Sequence, residues 1–131
     1  MIEFLRSKLH GIRVTDASLN YRGSITIDRD ICERAGLHQF EFVRIWNKTN
    51  GERLSTYVLH GPRNSRCCVL NGAAARKCQI GDELIIAASV RVEPAQVDTV
   101  SPRVLIFGPG NTVEEVIDYV QQLAAEAAAA E

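Results

Sequence analysis

A mainly β chain, closed as one small barrel with short helices, is what this sequence predicts, and three observations carry the expectation. Apolar and polar residues alternate in many short runs. Turns rich in Gly and Asn separate those runs, and no strand–helix–strand alternation of the kind that builds a parallel α/β sheet recurs. At 131 residues the chain suits a single domain with a real core, and nothing repeats at a fixed period.

Each element has its local reason. In residues 2–16, Ile2, Phe4, Leu9, Ile12 and Val14 are interleaved with charges, which describes a strand carrying Lys8 and His10 and running into turn formers. Residues 24–28 alternate as a second strand, and residues 29–36 suit a short helix stopped by Gly36. Residues 40–46 and 53–59 flank Asn50-Gly51, the clearest hairpin turn of the chain. The period of two sets Arg53, Ser55 and Tyr57 on one face of the second arm and Leu54, Thr56 and Val58 on the other.

Residues 61–65 read as a loop, 67–70 as a buried strand, and Asn71-Gly72 as a turn into Ala73-Ala74-Ala75, whose small side chains allow close approach to the backbone. A turn at residues 79–83, a core strand at 84–90, a loop from Pro94 to Pro102 and a last strand at 104–107 follow. The end differs in kind. Thr112 and Glu115 form a capping box, and Val113, Val116, Ile117, Val120, Leu123 and Ala124 recur at helical spacing. The expected division is therefore a barrel over residues 1–110 and an amphipathic helix with an Ala-rich tail over 111–131.

Composition narrows the function. Fifteen basic and sixteen acidic residues leave a net charge of −1, and no Lys/Arg block stands out, so nucleic acid is not an expected partner. No apolar run approaches the ~20 residues that span a bilayer, and Met1 to Arg6 lack the layout of a signal peptide, so no membrane partner and a cytoplasmic location are expected. Cys32, Cys67, Cys68 and Cys78 form no C-x-x-C pair, and the three histidines are scattered; no metal site is expected, and the cysteines read as buried thiols.

Chemistry centres on Gly23-Ser24. Glycine accepts backbone angles that strain a carbonyl, and a hydroxyl beside such a carbonyl is placed to attack it. In that N-to-O acyl shift Ser24 Oγ adds to the Gly23 carbonyl and leaves an ester. Loss of the Ser24 Cα proton then expels the Gly23 carboxylate, and hydrolysis of the resulting dehydroalanine through its imine tautomer leaves a pyruvoyl ketone. Gly-Ser is also a common turn dipeptide, so its company decides.

That company is Lys8-Leu9-His10, Tyr21-Arg22-Gly23-Ser24, residues 45–51 from Ile45 to Gly51, residues 53–57, residues 69–75 and Gly81-Asp82. In this order and at these spacings the motifs closely resemble the aspartate 1-decarboxylase family over roughly the first 90 residues. The resemblance implies a double-psi β-barrel, and a zymogen that cuts itself between 23 and 24. It also implies decarboxylation of L-aspartate to β-alanine and CO2 for pantothenate synthesis by a covalent pyruvoyl group made from Ser24, with no metal and no pyridoxal phosphate. The ketone would hold the substrate amine as a Schiff base.

By the same resemblance Ser24 and Tyr57 are catalytic, Tyr57 as proton donor, and Gly23, Ser24 and Thr56 serve self-processing. Lys8 and Arg53 hold the substrate's two carboxylates, which accords with a dianion needing two cations. Asn71, Ala73 and Ala74 line the site, and His10, Tyr21 and Trp46 frame it. A homotetramer with sites between subunits is implied. Two other readings stand beside this one: a pyruvoyl decarboxylase of another amino acid, separated by pocket length, and a non-enzymatic binding or regulatory barrel, separated by the absence of cleavage.

Overall fold

A computed structural model describes residues 1–19 and 24–130. The described strands are β1 (Ile2–Arg13), β2 (Asp16–Ser18), β3 (Ser24–Asp28), β4 (Phe42–Asn47), β5 (Arg53–Gly61), β6 (Cys68–Asn71), β7 (Glu83–Val92), β8 (Arg103–Phe107) and β9 (Val113–Asp118). The helices are α1 (Arg29–Ala35) and α2 (Tyr119–Ala129), with 3-10 turns at Gly72–Arg76, Pro94–Thr99 and Pro109–Asn111. All strands belong to one sheet in the order β2-β6-β3-β5-β4-β7-β1-β8-β9.

That order forces the sheet to curl. β2 lies six ladder steps from β1, which in a flat sheet is about 29 Å, yet only Val14 and Thr15 separate them in the chain. From Arg13 to Asp16 the backbone reaches at most about 11 Å. The strands must therefore come round on themselves, and hydrogen bonds fasten the corner: Val14 N–H donates to the Asp82 carbonyl at 2.9 Å and Thr15 N–H to the Cys68 carbonyl at 2.8 Å. Among the described residues no ladder joins the terminal strands β2 and β9; covalent continuity and these corner bonds do the closing.

Alternation along the strands separates an inner from an outer face. Leu9, Ile25, Ile45, Val58, Leu70 and Leu84 point inward and are fully shielded from solvent. β1 is long enough to bend at two register shifts, between Leu5 and Ser7 and between His10 and Ile12. Arg6, the extra residue of the first, donates to the Gly36 carbonyl at 2.6 Å and pairs with the Glu41 carboxylate.

The expected short helix is α1, capped by the Asp28 side chain, and Gly36 closes it at φ 75°, a conformation glycine adopts without penalty. The Asn50-Gly51 hairpin is also present, joining antiparallel β4 and β5, with Gly51 N–H returning to the Asn47 carbonyl at 2.8 Å.

Two expectations change. Residues 16–18, read as turn formers, make β2, which adds to β6 in parallel. The C-terminal helix starts at Tyr119, not after Thr112; residues 113–118 form β9, paired antiparallel with β8 from Phe107–Val113 to Arg103–Asp118. The β-branched Val113, Val116 and Ile117 suit a strand, and the free edge of β8 supplies backbone partners that a helix would leave unused. Asp118 caps α2 instead, its side chain accepting from Gln121 N–H at 3.1 Å. No helix among the described residues is long and apolar enough to cross a membrane.

Candidate active site

The outer face of the sheet gathers most of the residues singled out from the sequence. Directly paired residues on neighbouring strands share a face. The pairs His10–Ile85, Ile85–Trp46 and Trp46–Arg53 therefore form a row crossing β1, β7, β4 and β5. Beside it runs the row Lys8, Ala87, Arg44, Ser55, and Phe42 pairs with Tyr57 on β4 and β5. β3 joins β5 in parallel with Ile25 against Val58, so one step earlier Ser24 comes level with Tyr57 on the outer face.

Ser24 opens β3 opposite Asn71 of β6, and both are buried. The Asn71 carboxamide donates through Nδ2 to Ser24 Oγ at 2.9 Å and to Thr26 Oγ1 at 3.1 Å. A donor on Ser24 Oγ stabilises negative charge growing on that oxygen and leaves the hydroxyl proton pointing elsewhere. Thr26 was not singled out from the sequence. The signal was there, since Ser24-Ile25-Thr26 on a strand puts both hydroxyls on one face.

Arg53 lies with Cζ 5.8 Å from the centroid of the Trp46 ring, a cation–π contact that holds a cation the described residues give no carboxylate partner. Tyr57 packs edge-to-face on Phe42, ring centroids 6.0 Å apart at 63°, which restrains the phenol without occupying its hydroxyl. Lys8 and His10 stand on β1, three ladder steps from Arg53. Burial first, then the charges of Lys8 and Lys48, push His10 below its ordinary value, with Glu83 opposing. His10 is thus held as the neutral imidazole at neutral pH.

Thr56 pairs with Val43 and faces inward, away from Arg53 and Tyr57, as the strand period requires. With Leu54, Ala73 and Ala74 it lines a shallow cleft of about 230 Å³ between β5 and the 3-10 turn Gly72–Arg76. Gly23 and Tyr21 lie outside the described residues. A larger groove of about 490 Å³ opens on the outer face between Phe4, Phe42, Arg44, Trp46 and Ala87.

No group of three His, Cys, Asp or Glu side chains able to hold a metal occurs among the described residues. All four cysteines are free; Cys32, Cys68 and Cys78 are buried and Cys67 is half-buried. Burial pushes the Cys32 thiol up to about 12 and raises those of Cys68 and Cys78 as well, so these are packing groups and not nucleophiles.

A curled β sheet carrying a hydroxyl, a phenol and cations with no ion pair among the described residues on its outer face defines a small β-barrel protein. The family model described as aspartate decarboxylase matches residues 1–114. The chain is 58% identical to an aspartate 1-decarboxylase of Paramagnetospirillum magneticum over 91% of its own length and 67% of that protein's. It is 56% identical to one of Rhodospirillum centenum (91% and 78%) and 54% identical to one of Beijerinckia indica (92% and 80%). The chain belongs to the aspartate decarboxylase family, whose fold is the double-psi β-barrel.

Proposed function

We propose that this protein is made as a zymogen, cuts itself between Gly23 and Ser24, and then decarboxylates L-aspartate to β-alanine and CO2. The reaction and its place in pantothenate synthesis follow from the family. The observation that carries the self-processing reading is the Asn71 Nδ2 to Ser24 Oγ hydrogen bond of 2.9 Å between two buried side chains at the start of β3.

That bond has work at both stages. As Ser24 Oγ bonds to the Gly23 carbonyl carbon and the Gly23–Ser24 C–N bond breaks, the proton leaving Oγ ends on the freed amine and an ester forms. When the Ser24 Cα proton is then lost, the Cβ–Oγ bond breaks and Oγ departs as part of the Gly23 carboxylate. A donor on Oγ stabilises that leaving charge. Water addition and loss of ammonia complete the ketone on the former Ser24.

The surroundings of Ser24 fit a pyruvoyl group: Asn71 brings amide hydrogens, Thr26 a hydroxyl, and no carboxylate among the described residues bonds to Ser24. Once formed, the group supplies a carbonyl that holds the substrate amine and accepts the electrons released with CO2. The chain's own residues do the rest. Arg53, steadied on Trp46, presents its fork to one carboxylate, and Lys8 takes the other. Tyr57, level with Ser24 and braced by Phe42, holds the proton returned to the substrate carbon. Thr56, Ala73 and Ala74 line the cleft on the other side of β5 from Tyr57, and the role the family resemblance gives Thr56 is to hold the Gly23 carbonyl during processing.

Lys8 and Arg53 are about 14 Å apart along one sheet, farther than the two ends of a four-carbon diacid. A site in which Lys8 of one protomer meets Arg53 of another would bring both cations to one substrate, which accords with a homotetramer with sites between subunits. A cytoplasmic location accords with such a biosynthetic enzyme. Intact-mass measurement tests the reading: the purified protein should appear as a short chain ending at Gly23 and a longer, pyruvoyl-blocked one, and Ser24→Ala as a single folded, inactive 14.5 kDa chain. β-Alanine formation by Ser24→Ala overturns it.

A further inference from the structure

Asn71 does not hold Ser24 alone. Its Nδ2 sits between two hydroxyls, 2.9 Å from Ser24 Oγ and 3.1 Å from Thr26 Oγ1, so one amide hydrogen points at each. Thr26 is itself held. A β-branched side chain on a strand has few χ1 choices, and the Thr26 methyl occupies space left by Gly61 on the neighbouring strand: a Cβ at Gly61 would stand 3.0 Å from Thr26 Cγ2 and 2.5 Å from Cys67 Sγ. With the methyl directed to β5, the hydroxyl is turned to β6, where Asn71 lies.

From this geometry we infer that Thr26 is a positioning residue for self-processing. Its hydroxyl fixes the rotation of the Asn71 carboxamide, so that the other amide hydrogen is aimed at Ser24 Oγ before the acyl shift and stays with that oxygen as it leaves. The role rests on the self-cleavage proposed above. Thr26 acts through Asn71, the described partner of its hydroxyl. Without it the carboxamide turns about its last side-chain bond, and the donor is on Ser24 for only part of the time.

The test follows cleavage of freshly purified chains over time by intact mass, for the wild type, Thr26→Val, Thr26→Ser and Thr26→Ala, alone and combined with Asn71→Ala. Valine keeps shape and burial and removes the hydroxyl; serine keeps the hydroxyl. Cleavage should slow about tenfold in Thr26→Val, the rate equivalent of one neutral hydrogen bond, with a Tm lowered by only a few degrees, and Thr26→Ser should recover most of the rate. In the Asn71→Ala background Thr26→Val should cost nothing further, which a mere packing role would not produce. Should the valine variant fold poorly, the Thr26→Ala and Thr26→Ser pair makes the same comparison. Wild-type cleavage by Thr26→Val, or equal slowing by valine and serine, overturns the role of Thr26 and leaves self-processing intact. A wild-type chain that stays whole overturns both.

Discussion

At the scale of single residues, the two hydroxyls level with one another on β3 and β5 divide the work. On the proposed reading Ser24 serves the cut, and Tyr57 serves turnover. Tyr57→Phe keeps the ring and its contact with Phe42, so it should be cleaved and bind aspartate, while kcat falls about a hundredfold or more for want of the proton donor. Stopped-time mass analysis with β-alanine assay checks this, and a wild-type kcat would move the donor role to another group.

His10 gives a second expectation. Its folded pKa lies below the ordinary 6.5, so as pH falls through that value the unfolded chain takes up a proton that the folded one refuses. The His10 contribution is neutral above about pH 7 and turns destabilising as acid is added. Urea midpoints measured from pH 7.5 to 5.5 should fall less steeply in His10→Gln than in the wild type; parallel slopes would refute it.

At the scale of elements, the sequence was legible wherever pattern and local chemistry agree. Helix α1 shows this, with Asp28 before it and Gly36 after it, as does the β4–β5 hairpin, where Asn50-Gly51 lies between two alternating runs. The opposed faces of Arg53 and Thr56 followed from the strand period alone. Residues 113–118 misled because Thr112 and Glu115 satisfy a helix cap locally, whereas the decisive partner, the β8 edge, is supplied by tertiary structure. Thr26 was legible as a face but not as a contact, since its value depends on Asn71, which is forty-five residues away along the chain.

Helix α2 contributes little to the stability of the barrel. It buries no residue and its tail of alanines packs on nothing described, so a chain ending at Asp118 should keep its barrel, with a Tm lowered by about 2 °C or less. Thermal unfolding of that truncation against the full chain decides the point; a large drop would mean that the helix is covered in the assembled protein.

Across the whole molecule, the separation of Lys8 from Arg53 calls for a mixing experiment. Lys8→Ala and Arg53→Ala should each be inactive as pure proteins, yet co-expressed in equal amounts they should regain about a quarter of the wild-type sites, the share in which each protomer lends its intact residue. No regain would mean that each protomer completes its own site.

The corner at Val14 and Thr15 has a further consequence once the chain is cut. It stays with the shorter fragment, which keeps β1 between β7 and β8 and lays β2 along β6. The cut protomer would then be a small strap threaded through a larger frame, held by hydrogen bonds and packing with no covalent bond between them. Such a protomer remembers how it was assembled. An uncut Ser24→Ala chain should regain its protomer fold from urea, before subunits associate, at a rate independent of dilution, whereas the cut protein must first bring two pieces together, and its recovery of that fold should fall as the concentration is lowered.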